Sequence, residues 1–353
     1  MTACILVMPT HEGKAFPVII SDVVATYPGS DAPIILPANV TAPLAAEVSR
    51  VDLYRKSYIV AGVGAFAFSG KSDEIEDCLK EISAQLPAWL LAERPMDRLQ
   101  DFVNDYKSIR LVGASLDPKT ARMNHVWPRA SLISRKHLGL TAAVGSGAKA
   151  LEHTADVMEA HFEGGDRTHV ERGITFARHV VNHSLAEEIL GREADWGGYF
   201  EFVHAHGDGW RRGPPSLHFF LHGTPQGDGT ATTSLIGRVI AYDPGEHNGR
   251  VLSVSIGAEG NLIKEYILKD ILNPPPAPED GFEFWKSWSP AIVSVSVSVP
   301  HGERGYKWMH TEAQADEVIF EIGDGQFTVG IRPEIKDEIS NVLLQTVGLK
   351  YVA

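Results

Sequence analysis

"RKSYIVAGVGAFAFSGKSDEI", residues 55–75, contains the change of period that decides the fold class. Its middle, "SYIVAGVGAFAFSG", reads as two β-strands, rich in β-branched and aromatic residues and broken by glycines. Then the apolar spacing lengthens, and Ile75, Cys78, Leu79, Ile82 and Leu86 fall on one face of a helix. Ser72 is placed to cap that helix, with Asp73 and Glu74 in the first turn, where the helix dipole favours acids. A second helix carries Leu99, Phe102, Val103 and Tyr106.

The same alternation extends both ways. Upstream, "ACILVMP" and "AFPVIISD" are two strands separated by "THEGK", which has the residues of a hairpin loop. Downstream, strands return in "IRLVGAS", "RMNHVWP" and "LTAAVG". Two more helices follow, one with Leu151, Ala155, Met158 and Phe162 on a face, the next with Val170, Ile174, Ala177, Val181 and Leu185. "GGYFEFVHAH" closes the pattern as a strand. Blocks of strands with helix pairs between them predict two stacked sheets covered by helices on both outer faces.

Composition narrows the function classes. The chain of 353 residues is 44% hydrophobic and 22% charged, with a mean hydropathy of -0.08, which fits a soluble globular protein. No apolar run reaches the ~20 residues of a membrane helix, and no secretory signal is expected. A net charge of -13 disfavours a nucleic-acid surface, which needs clustered cations. Two cysteines, Cys4 and Cys78, fit a reducing compartment, so cytoplasm is expected.

Three features meet the opening segment "MTACILV". Asp22 ends the first hairpin, and Lys56 stands fourteen residues before Gly70 at the turn into the first helix. Gly145, Ser146 and Gly147 lie where a strand turns into the third helix. Together with "DWGGYFEFVHAHGDGW", these resemble the proteasome β-subunit family and its bacterial relatives over residues 2–212. The resemblance implies an α+β fold, a four-layer αββα sandwich of the N-terminal-nucleophile hydrolase type, at residues 1–213. A β-rich extension of residues 214–353 follows, with "NPPPAPED" at 273–280 as a linker.

The chemistry gives that arrangement a reason. A threonine hydroxyl needs a base, and a free α-amine, with an ordinary pKa of about 7.7 to 8.0, can serve as one. A nearby lysine disfavours the protonated amine, and a carboxylate can fix that lysine's charge. By resemblance, removal of Met1 exposes Thr2 as the nucleophile, Lys56 tunes its amine and Asp22 orients Lys56. Gly70 takes the oxyanion-hole position, Ser146 assists the amine, and Asp195, or alternatively Glu193, is the further acid. The family's substrates are peptides or amides, cleaved inside homo-oligomeric rings that can work with a separate ATPase. No cofactor, metal, nucleic acid or membrane is implied. Replacing Lys56 is expected to spare the fold, as for a surface lysine.

The chain also departs from the family. Its first hairpin is longer, Val24 stands where an arginine is common, and Trp196 takes the place of a serine before the double glycine. The alternative is therefore a proteasome-like subunit without activity, serving as a structural or binding element. Each residue has a plain reading too: Asp22 as a strand end, Lys56 as half of a solvated pair with Arg55, and the glycines as turns. His179 and His183, four apart on a helix, could share a metal, but no local motif supplies a third ligand. Cys4 reads as a small buried apolar residue. In the last third, "PPSLHFFLHG", "LIGRVIAYD", "RVLSVSIG", "AIVSVSVSV" and "EVIFEIGDGQFTVGI" are strands, and "PEIKDEISNVLLQTVG" is an amphipathic helix.

Overall fold

The computed structural model describes residues 3–23, 49–60, 64–90, 95–116, 123–127, 131–163, 165–189, 199–207, 209–226, 230–246, 248–257, 260–272, 281–301, 305–313, 315–323, 326–331, 335, 339 and 350–351. The first hairpin runs through β1 (Ala3–Met8), β2 (Thr10–His11), β3 (Lys14–Ala15) and β4 (Val18–Asp22). "THEGK" is itself part of a short ladder, with Thr10 opposite Ala15 and His11 opposite Lys14. Glu12 and Gly13 turn it at φ of 50° and 76°. Two successive left-handed residues give the twist that a tight hairpin needs.

Next come β5 (Ser49–Tyr54), β6 (Ser57–Val60), β7 (Gly64–Ser69), α1 (Ser72–Leu90), α2 (Pro95–Asn104), β8 (Arg110–Leu116) and β9 (Met123–Trp127). They are followed by β10 (Ile133–Arg135), β11 (Gly139–Gly145), α3 (Ala148–Phe162), α4 (His169–Ile189), β12 (Phe200–His206) and β13 (Gly209–Arg212). One sheet has the order β10-β11-β1-β4-β12-β13, and a second has β6-β7-β8-β9.

Strand alternation sends each face to a different neighbour. Ala3, Ile5 and Val7 of β1, with Val18 and Ile20 of β4, pack against Leu151, Ala155, Met158 and Phe162 of α3 and Phe176, Ala177 and Val181 of α4. Cys4, Leu6, Met8 and Ile19 meet Ala65, Ala67, Val112 and Ala114 of the second sheet. On that sheet's other side, Phe66, Phe68 and Leu111 pack with Ile75, Cys78, Leu79, Ile82, Leu99 and Val103. Each of the larger side chains contributes about 1.5–3 kcal/mol by leaving water. The fold class is thus α+β, with helices and sheets segregated along the chain.

Two local expectations need correction. Ile75 N–H donates to the Lys71 carbonyl at 3.0 Å, so the cap of α1 falls on Lys71 rather than Ser72. Val170 is 40% exposed, while Phe176 and Val180 are buried instead; α4 is apolar on a face rotated toward them.

The remainder comprises β14 (Ser216–Pro225), β15 (Thr230–Asp243), β16 (Gly249–Gly257), β17 (Gly260–Lys269), α5 (Gly281–Ser287), β18 (Ile292–His301), β19 (Gly305–Ala313), β20 (Val318–Gly323), β21 (Gln326–Ile331) and β22 (Lys350–Tyr351). A third sheet has the order β19-β18-β14-β15-β16-β17-β5, with β22 beside β15. Its edge strand β5 comes from the N-terminal part and pairs in parallel with β17, Ser49 opposite Lys264. One face of this sheet, with Phe220, Ile240, Tyr242, Val251, Tyr266 and Leu268, joins the same core as β1 and β4. The other packs Leu217, Phe219, Val239 and Leu252 with Trp285 of α5. The proline-rich segment 273–280 lies outside the described residues, as does most of "PEIKDEISNVLLQTVG"; of that stretch, Ile335 and Ile339 are described and buried.

α4 also covers a histidine-bearing part of the third sheet. The ring of His179 lies 5.7 Å from that of His183 and 5.6 Å from that of His310 on β19. Among the described residues, no group of three or more His, Cys, Asp or Glu is arranged to hold a metal ion. Burial lowers His179 to about 4 and His218 to about 3, and it lowers His310 as well. These rings fold neutral, whereas the unfolded chain takes up protons below about 6.5. Stability should therefore be fully present above pH 6.5 and decline as pH falls toward 4, by up to about 1.4 kcal/mol per pH unit per histidine. Urea melts between pH 7.5 and 5 should show the midpoint falling; an unchanged midpoint would contradict the buried neutral state.

Candidate active site

The first sheet and the second bring strand ends together near the start of β1. Lys56, between β5 and β6, reaches Asp22 at the end of β4, with Nζ 2.7 Å from Oδ1. Both are buried, Asp22 completely and Lys56 at 4% exposure. Lys56 is held by its backbone, because Phe68 N–H donates to its carbonyl at 3.0 Å. Burial pushes the Asp22 carboxyl up from its ordinary range; the Lys56 ammonium and the Ala3 backbone amide pull the other way and favour the ionised form. An acid and a base this close in a dry site form an ion pair whose separation would be costly.

The plain reading of Lys56 and Arg55 as a solvated basic pair is thus overturned. Arg55 is fully buried, with Nε 3.1 Å from Glu201 Oε1 and Nη1 4.0 Å from Asp270 Oδ2. Arg212 Nη2 stands 3.2 Å from the same Asp270 oxygen, and Tyr242 donates its hydroxyl proton to Glu201 at 2.7 Å. Sequence reasoning missed this network, and the one available hint was a pair of cations inside an apolar run.

Gly70 follows β7 at φ +149°, and a Cβ there would lie 2.9 Å from the Ser108 carbonyl oxygen. Only glycine fits this turn. Gly145 pairs with Ala3, which puts the exposed Ser146 just beyond the start of β1. Asp22, Lys56, Gly70 and Ser146 therefore gather at one end of the paired sheets. Thr2, Glu193, Asp195 and Trp196 lie outside the described residues. Cys4 points between the sheets, its Sγ donating to the Phe68 carbonyl at 3.2 Å. Burial raises its thiol pKa far above the ordinary value, so it stays protonated and unreactive.

A pocket of about 350 Å³ opens next to this end, lined by Tyr106, Lys107, Ile109, Arg110 and Val144 among others. Val144 precedes Gly145, and Ile109 abuts Gly70, so the pocket borders the cluster on two sides. It is large enough to accept a side chain of a bound ligand. Among the described residues, no helix is long and apolar enough to cross a membrane.

No protein-family model matches the chain, and neither does any curated protein. Among solved structures, eukaryotic HslV from Trypanosoma brucei aligns at 8% identity over 56% of this chain and 97% of that one, with a TM-score of 0.29. Thiobacillus denitrificans BPH in complex with epoxomicin aligns at 13% identity over 58% of this chain and 99% of that one, also with a TM-score of 0.29. Likeness this distant carries no weight for chemistry, which rests on the residues themselves.

Proposed function

We propose that this chain is an N-terminal-threonine hydrolase of the proteasome-like type, cleaving peptide or amide bonds through an acyl-enzyme on Thr2. The observation that carries the proposal is the buried Lys56–Asp22 ion pair beside Ala3, the neighbour of Thr2. A cation held there would keep the α-amine of Thr2 neutral and able to accept the hydroxyl proton. Amine and hydroxyl belong to one residue, which removes most of the entropic cost of bringing base and nucleophile together. The N–H of Gly70 would meet the oxyanion, Ser146 would assist the amine, and Asp195 would be the further acid. The packing of α1 and α2 on one sheet and α3 and α4 on the other supports a four-layer αββα sandwich. We assign the chain to a homo-oligomeric ring acting on peptides, with a separate ATPase as a candidate partner.

Intact-mass analysis should find Thr2 as the first residue with an unblocked amine. An epoxyketone, which closes a ring onto both amine and hydroxyl, should modify Thr2 and no other residue. Trp196, at the family's serine position, favours a second reading as an inactive subunit. Retention of Met1 in fully assembled protein, or an unmodified Thr2 with a free amine, would favour that reading over catalysis.

A further inference from the structure

The pocket beside the Gly70 turn carries a charge opposite to that of the whole chain. Its described lining holds two cations, Lys107 and Arg110, and no acid, whereas the net charge of the chain is -13. Both cations are exposed, so a ligand can reach them. Arg110 Nη1 donates to the Lys107 carbonyl at 3.0 Å and to the Ile109 carbonyl at 2.8 Å. These bonds occupy Nη1 and pin the guanidinium to the turn before β8. The edge formed by Nε and Nη2 has no acceptor among the described residues, and such an edge can bind a carboxylate through two parallel hydrogen bonds. The Lys107 ammonium makes no ion pair among the described residues.

Nearby acids are engaged elsewhere. Glu81 accepts from the Tyr106 hydroxyl at 2.9 Å, which also fixes that ring as a wall of the pocket. Glu74 accepts from the Ser108 N–H at 3.2 Å and faces Lys71 at 3.9 Å. Asp105 is exposed on the same turn and is not among the lining residues. Val103, Ile109 and Leu111 are buried and supply an apolar floor. Such a floor below two cations suits a side chain with an apolar stem and an anionic tip. The volume of about 350 Å³ admits that side chain with its flanking backbone.

We propose that this pocket takes a glutamate side chain of a bound peptide and prefers it to the uncharged glutamine. The carboxylate meets the Nε–Nη2 edge of Arg110 and the Lys107 ammonium, while the stem lies on Val103, Ile109 and Leu111. Ile109 abuts Gly70 and Val144 precedes Gly145, so the bound residue sits beside the bond that Thr2 would attack. That placement rests on the proposed role of Thr2; the binding does not. Long-range repulsion from a chain of charge -13 disfavours acidic peptides, so the preference has to come from these two cations at short range.

The test uses the full chain carrying Thr2→Ala, which removes the N-terminal nucleophile, and fluorescence anisotropy of labelled hexapeptide amides of leucine and glycine. Glutamate or glutamine is placed at each position in turn. At one position the glutamate peptide should bind about 10-fold more tightly than its glutamine counterpart, and raising salt from about 50 mM to about 500 mM should shrink the difference. Arg110→Gln should remove most of that preference, Lys107→Gln part of it, and the double variant all of it. Lys136→Gln, which removes an exposed cation between β10 and β11, should leave it intact and so separates the pocket from bulk charge. Equal binding of the two peptides at every position, no binding of either, or a preference that survives the double variant would overturn the proposal. Turnover by the unaltered chain tests the other reading: a glutamate preference in binding with no hydrolysis of any peptide removes the role of Thr2 and keeps the pocket.

Discussion

On the proposed mechanism Lys56→Ala is expected to abolish amide hydrolysis, with a loss of at least about 10³-fold, and its burial predicts a destabilisation of about 3–5 kcal/mol. The second effect runs against the sequence-based expectation of a harmless surface substitution. Lys56 is buried against a fully buried Asp22, so the alanine variant strands a carboxylate away from water. That carboxylate must stay charged without a partner or take up a proton, and either outcome costs stability. Stability and catalysis can be separated with Lys56→Met combined with Asp22→Leu. Removing both charges should restore most of the melting temperature, while the proposed role of Lys56 requires hydrolysis to stay absent. Thermal melts and turnover of a peptide amide measure the two effects; a double variant that still hydrolyses its substrate would remove Lys56 from the mechanism.

Arg55→Ala should be more damaging to the fold, by roughly 5 kcal/mol or more, and the expected readout is loss of soluble protein. The guanidinium serves two buried acids from different elements, Glu201 on β12 and Asp270 after β17. It also donates to the Pro244 carbonyl, and its own backbone N–H donates to Lys269 at 3.0 Å. Its loss would leave Glu201 without its guanidinium partner, though still accepting from the Tyr242 hydroxyl, and weaken the hold on Asp270, which keeps Arg212. Arg55→Lys should recover only part of the stability, because an ammonium supplies the charge without the planar fork that reaches separate acceptors. Soluble yield and urea midpoints distinguish the two variants, and equal midpoints for Arg55→Lys and the unaltered chain would mean that the fork is dispensable.

The elements with a strong period were legible in the sequence. Leu151, Ala155, Met158 and Phe162 are the four residues that α3 buries. β1 reads as a strand because all six of its residues are apolar, which is what burial on both faces requires. Lys56 and Asp22 could be nominated by resemblance, but their burial could not, since a charge enters a core only when a partner distant in sequence is waiting. β17 and β19 escaped notice because lysine, glutamate and glycine interrupt their apolar residues. The buried hydrogen bonds of His218 to Ser216 and Asn182 were hidden for a similar reason: Ser216 and His218 are two apart on one strand face, but Asn182 comes from a helix that only the folded topology brings over them.

The placement of β5 has a consequence for synthesis. Ser49 through Tyr54 leave the ribosome early, yet their hydrogen-bonding partners on β17, Lys264 through Lys269, are translated much later. At ~5–20 residues per second, β5 waits on the order of tens of seconds with its ladder groups open. During that interval Arg55 and Lys56 flank an unpaired strand, and their charges keep the segment hydrated and discourage edge-to-edge association with other nascent chains. The cations that the finished molecule buries thus act as temporary gatekeepers. Lys56 can meet Asp22 as soon as both are made, whereas Arg55 completes its buried pairing only once Asp270, just after β17, has arrived.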